Sequence, residues 1–252
     1  MNILASNDFF EISTEGEFAL LDIREKAFDF ITDLKLSGKL LEFLHDIDHD
    51  PAIKALVFFN SPESLNEESY DRFISRIMNR DEPRDGISPP MFKEKNARFR
   101  EINVLNKLIK SIASLQTLVI SGIQGTVVTP FIGASLVADF RYASEHAVFS
   151  MIHNRHGLHP SGGLPYFLSS FLHHSKAMEV QMAERIDAKT ALELGLVSKL
   201  LPDENFRENI MAEVRPFTRL NYCTLRDTKR LTNFKRKDLE SYFEFEANLL
   251  NL

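Results

Sequence analysis

Residues 111–151 read SIASLQTLVISGIQGTVVTPFIGASLVADFRYASEHAVFSM. Ser111 through Ala138 carries no charged side chain and no histidine, and a run of about 20 apolar residues is enough to cross a bilayer. Gly122, Gln124, Gly125, Thr129, Pro130 and Gly133 interrupt it, which fits a buried strand, a turn and a new helix instead. TLVISGI (117–123) reads as the strand. The helix opens at TPFIGASLVAD (129–139), with Thr129 as N-cap and Pro130 as first helical residue, where a missing N–H costs nothing. YASEHAVFSM (142–151) supplies the next strand.

The rest of the chain repeats the alternation. EFALLDI (17–23) and IKALVFFN (53–60) are short apolar runs of the kind covered on both faces. Between them, SGKLLEFLHDIDHD (37–50) sets Leu40, Leu44 and Ile47 on one helical face. Residues 61–90 are polar and proline-broken, an excursion with a short helix over Tyr70–Met78. From Met91 to Gln116, Phe99, Ile102, Leu105, Ile109, Ile112 and Leu115 recur at helical spacing. Short helices follow Gly163 and cover SKAMEVQMAE (175–184) and DAKTALELG (187–195), the last capped by Asp187 and stopped at Gly195. LVSKLLP (196–202) makes a final strand, and the tail is helical. Strands alternating with helices predict an α/β layer structure: a core over residues 1–200 and a helical C-terminal region over 201–252.

Composition narrows the function. With 44% apolar residues the chain builds a substantial core. Its net charge of −6 is spread through a mixed sequence, so no electrostatic footprint for nucleic acid is present. The single cysteine, Cys223, reads as a packed thiol and points to a reducing compartment. The first residues lack a basic region followed by an apolar run, so a cytoplasmic location is expected.

The loop MIHNRHGLHPSGG (151–163) spaces His153, His156 and His159 by threes. A metal triad is not expected, because Gly157 and Pro160 break a helix and an extended segment turns His156 away from the other two. His156 and His159 are assigned to loop packing or surface, and His173 and His174 to a helix C-terminus.

RIDAKTALELGLVSKLLP (185–202), SGIQG (121–125) followed by Asp139 in ADFRYASEHAVF, and GLHPSGG (157–163) resemble segments of the crotonase, or enoyl-CoA hydratase/isomerase, superfamily. Register holds from Gly122 to Pro202. The resemblance implies a spiral of strand-strand-helix repeats, a helical C-terminal trimerisation region, homotrimers or hexamers, and an acyl-CoA or acyl-carrier thioester as partner, with no other cofactor. Two backbone N–H groups would hold the thioester oxygen, and paired glutamates would move protons.

Carried over residue by residue, that pattern changes here. Pro130 takes the place of a glycine whose N–H completes the oxyanion hole, and proline offers none. Phe131 is the nearest substitute donor. Gly133 and His153 stand where the two hydratase glutamates would be. Ser69, in NEESY (66–70), best matches the second oxyanion donor, and Tyr70 is a pocket wall or proton donor. Asp139 reads as a capping or ion-pair group. Arg226, Lys229, Arg230, Lys235, Arg236 and Lys237 lie where the resemblance allows an approach to coenzyme A phosphates, but are read first as a solvated helical face. Two functions remain open: an enzyme using His153 for isomerisation, hydrolysis or decarboxylation of a thioester, or a silent subunit in which His153 merely fills space.

Overall fold

The computed structural model of the chain describes residues 2–78 and 90–249. It opens with three antiparallel strands, β1 (Asn2–Ser6), β2 (Phe10–Glu15) and β3 (Phe18–Ile23). Gly16, at φ 59, makes the tight turn between the second and third. There follow α1 (Ala27–Phe30), α2 (Leu34–His49), β4 (Ala55–Asn60), α3 (Glu67–Ile77), α4 (Lys95–Ser114), β5 (Leu118–Ile123) and β6 (Thr126–Val128). Next come α5 (Phe131–Leu136), β7 (Phe140–Ser144), β8 (Val148–Ser150), a 3-10 turn (Ile152–His156), α6 (Leu164–Phe171) and α7 (His174–Met182). The chain continues through β9 (Arg185–Asp187), α8 (Ala188–Glu193), β10 (Lys199–Leu201), α9 (Phe206–Thr218), α10 (Tyr222–Thr232) and α11 (Leu239–Asn248).

Seven strands form one sheet in the order β1-β2-β3-β4-β5-β7-β10. From β3 onward every neighbour is parallel. A smaller sheet orders β6-β8-β9. The central strands are apolar on both faces because both are covered. Leu56, Val119, Ala19 and Leu21 pack with Leu40, Leu44 and Ile47 of α2 and Leu105, Leu108 and Ile109 of α4. Leu20, Val57 and Ile120 pack on the other face with Phe206, Ile210 and Val214 of α9 and Leu225 of α10. Each of these valine, leucine, isoleucine and phenylalanine side chains, fully buried, contributes about 1.5–3 kcal/mol to folding.

The α/β alternation, the helical tail, the Asp187 cap on Thr190 N–H and the stop at Gly195 (φ 71) are as expected. Among the described residues no helix is long and apolar enough to cross a membrane, and 111–138 holds the end of α4, then β5, β6 and α5.

Several local expectations are corrected. Residues 142–151 give two strands in different sheets, split by the turn at Glu145–Ala147. The N-cap of α5 is Pro130, with no side-chain cap, because Thr129 turns its hydroxyl toward His153. The Thr129–Pro130 peptide is cis. The histidine loop is a 3-10 turn at His153 and His156, not an extended run. His173 and His174 begin α7 and do not end a helix. Cys223 is exposed, since the buried positions of α10 are Leu225 and Lys229. The excursion over 61–90 includes residues 79–89, which lie outside the described residues.

Candidate active site

The parallel strands β3, β4 and β5 end together at Ile23, Asn60 and Ile123. The carboxyl edge of such a sheet is where α/β proteins place ligands. A cavity of about 90 Å³ lies there, closed by Leu65, by Leu108 and Ile112 of α4, and by Phe131, Ala134 and Ser135 of α5. Of its three polar lining side chains two bond within the protein: the Asn60 amide donates to the carbonyls of Ser61 and Gln124, and the Ser135 hydroxyl donates to that of Ile132; the third is the Ser121 hydroxyl. Such a space takes apolar matter. A cavity of about 150 Å³ admits benzene, so this one suits a chain of about three or four carbons.

Phe131 leads α5 and stacks edge-on against Phe28, ring centroids 5.2 Å apart. Two residues further, Gly133 meets the loop before α6. A Cβ on Gly133 would stand 2.8 Å from the Gly162 carbonyl carbon and the Leu164 nitrogen, and nearer still to the Gly162 oxygen. The loop is pinned from the other side. The N–H groups of Gly162 and Gly163, at φ 69 and 72, donate to the two oxygens of Glu246 at 3.2 and 3.1 Å. Burial pushes the Glu246 carboxyl up, against the amides that pull it down.

His153 is 2% exposed, with Nδ1 at 3.1 Å from Thr129 Oγ1. Burial, and then the neighbouring His159, lower it to about 4, so at neutral pH it is an uncharged imidazole. His159 is lowered by its own burial. His156 is buried and places Nε2 2.7 Å from Asp71. Tyr70 packs between Phe28 and His156, its phenol pushed up by burial. Below it lies a fully buried pair, Arg98 and Glu101, at 2.5 Å.

Ser69 is not among the residues lining the cavity, and its N–H donates to the Asn66 side chain, which caps α3. That amide is therefore taken. Glu67 accepts from Arg185, from the Ser150 hydroxyl and from Arg155. These hold it as a carboxylate, lowered to about 2, with Arg185 the largest influence. Among the described residues no group of three or more histidine, cysteine or acidic side chains could hold a metal ion.

The family model for enoyl-CoA hydratase/isomerase matches residues 91–251. The chain belongs to the enoyl-CoA hydratase/isomerase family, within the crotonase superfamily. No curated protein matches it significantly. Among solved structures, enoyl-CoA hydratase from Bacillus halodurans is similar at TM-score 0.77 and 17% identity, over 96% of this chain and 93% of that one. A probable enoyl-CoA hydratase/isomerase from Mycobacterium abscessus gives 0.71 and 21%, over 96% and 89%. Pseudomonas aeruginosa DspI gives 0.72 and 18%, over 99% and 91%. These identities speak for the fold.

Within the crotonase fold, the structure gathers Pro130, Phe131 and Gly133 on α5 and sets His153 against the residue preceding Pro130. Phe131 borders the cavity, whereas the Ser69 amide is spent on its own helix. Sequence reasoning missed Glu246 and the Arg98–Glu101 pair. Both partners of that pair sit three apart on one helix, which was a readable signal; the Glu246 contact spans more than eighty residues and left none.

Proposed function

We propose that this protein is a crotonase-fold binding subunit that accepts a short acyl group, as its coenzyme A or carrier thioester, and does not hydrate it. The observation that carries this reading is at Gly133. The Gly162 backbone occupies the space into which a side chain there would project, so a carboxylate in the hydratase position has no room. Pro130 lacks an N–H, and loss of one oxyanion donor costs about a hundredfold to a thousandfold in rate. The cavity at Phe131 suits the acyl chain. Exposed Met182, Leu231, Phe234 and Phe245 on the later helices fit self-association as a homotrimer or hexamer.

A second reading keeps an enzyme. The His153–Thr129 contact joins an uncharged imidazole to a hydroxyl, a pairing that serves proton transfer or nucleophile activation in thioester isomerisation, hydrolysis or decarboxylation. Calorimetry with butyryl-CoA and crotonyl-CoA, alongside a turnover assay, separates the two. Binding without hydration, weakened when Ala134→Leu fills the cavity, supports the subunit. Turnover that disappears in His153→Ala establishes the enzyme. Failure of every thioester to bind overturns both.

A further inference from the structure

We propose a second ligand site, at the opposite edge of the sheet from the apolar cavity, that binds a phosphate monoester carried on a flat apolar body. Leu118, Phe140 and Arg141, at the starts of β5 and β7, face α10 across a cleft of about 400 Å³, a volume typical of small-molecule sites. Its ionisable lining is Arg141, Lys229 and Arg236 against Asp139 alone. The basic run of α10 and the 3-10 turn after it (Asn233–Arg236) is thus not a solvated face throughout: Lys229 is buried and Arg236 turns inward.

Lys229 Nζ pairs with Asp139 at 2.8 Å and donates to the Thr117 carbonyl. That spends the one carboxylate. The two guanidiniums bond only to carbonyls among the described residues. Arg141 donates to Leu196, Ala138 and Gly195, and Arg236 to Val137. Two of those carbonyls belong to the end of α5, and a helix end supplies about half a negative charge. Two full positive charges exceed it. Burial, and then Arg236, lower Arg141 to about 10, and the Asp139 carboxylate offsets them only in part.

The surplus, three cations less one carboxylate, matches a phosphate monoester, which carries about −1.5 to −2 at neutral pH. Arginine's fork suits phosphate oxygens, and Arg141 spends three of its five N–H groups on the protein. The apolar body has its own surface. Phe217 lies stacked on Phe140 at 4.7 Å, and Phe171 lies 4.7 Å from the Arg141 guanidinium, both on the cleft wall.

The test is calorimetric titration of the whole protein with phenyl phosphate, AMP, inorganic phosphate, coenzyme A and dephospho-coenzyme A. The variants are Arg236→Met and Thr228→Asp, the latter setting a carboxylate on the exposed cleft wall. Phenyl phosphate and AMP should bind at least about tenfold more tightly than inorganic phosphate, and each variant should weaken them at least about tenfold. Coenzyme A exceeding dephospho-coenzyme A in a manner that Thr228→Asp abolishes assigns the ester to that cofactor, and equal behaviour assigns it to a free nucleotide. The proposal is overturned if no monoester binds at millimolar concentration, or if Thr228→Asp melts like the parent and binds unchanged.

Discussion

Replacing Gly133 by alanine is expected to destabilise the protein, although glycine-to-alanine in a helix normally gains about 1 kcal/mol. The added methyl would meet backbone, not a flexible side chain, with the Gly162 oxygen having to withdraw by roughly 1 Å to reach contact distance. Gly162 cannot yield freely. Its N–H and that of Gly163 are held by Glu246, and Pro130 occupies the space where a Cβ on Gly162 would stand. Hydrogen bonds to a charged group are worth about 1.5–3 kcal/mol, and overpacking adds about 1–3 kcal/mol. Set against the helix gain of about 1 kcal/mol, a net loss of about 1.5–5 kcal/mol follows. Gly38 supplies the control, because it lies within α2 with nothing inside 4 Å of its missing Cβ. Gly38→Ala should gain about 0.5–1 kcal/mol. Urea unfolding of the two variants against the parent measures both. If Gly133→Ala is as stable as Gly38→Ala, the space is not closed and the argument against a hydratase carboxylate collapses.

Burial lowers His153 in the folded state, so between its ordinary value of 6.5 and about 4 the unfolded chain binds the extra proton. Its contribution is complete above that window and is lost as pH falls through it, by about 3 kcal/mol in all. His153→Asn should flatten this part of the stability–pH curve; an unchanged slope means the ring is not held neutral. Arg98→Met strands the Glu101 carboxyl in a fully buried position and should cost about 3–5 kcal/mol, most of it recovered in Arg98→Met/Glu101→Leu; equal stability of single and double variants in urea refutes the pairing. Leu231 and Phe234 are 79% and 73% exposed. Changing both to Glu should leave the circular dichroism intact and lower the mass seen by sedimentation equilibrium, whereas an unchanged mass removes this face from any interface.

What the sequence showed well were features with local causes. The runs at 53–60 and 117–123 announce strands covered twice, and helices on both sides of the sheet supply the cover. Asp187 and Gly195 bound a helix by cap chemistry acting over three residues. The failures have causes at long range. NILAS gives no apolar alternation because β1 is an exposed edge strand, paired among the described residues only with β2. Lys229 sits in a basic run, and nothing nearby says that Asp139 and Thr117 draw it inward. Thr129 has every property of an N-cap, yet His153 and the Ser150 carbonyl compete for its hydroxyl.

The departures at the site follow one physical pattern. A hydratase must leave amides unpaired and a carboxylate free to move protons, both of which cost stability. Here each of those positions is closed by a packing interaction. The Ser69 amide completes the cap of α3, Gly133 lets α5 and the 162–163 loop approach at backbone distance, and Glu246 fills that loop's amide pair from α11. The nearby carboxylate Glu67 is locked by two arginines and a serine. Such an arrangement needs no bound ligand to be satisfied, which is what the proposed binding subunit requires. What remains open is the apolar cavity behind Phe131; recognition without hydration requires nothing more from this edge of the sheet.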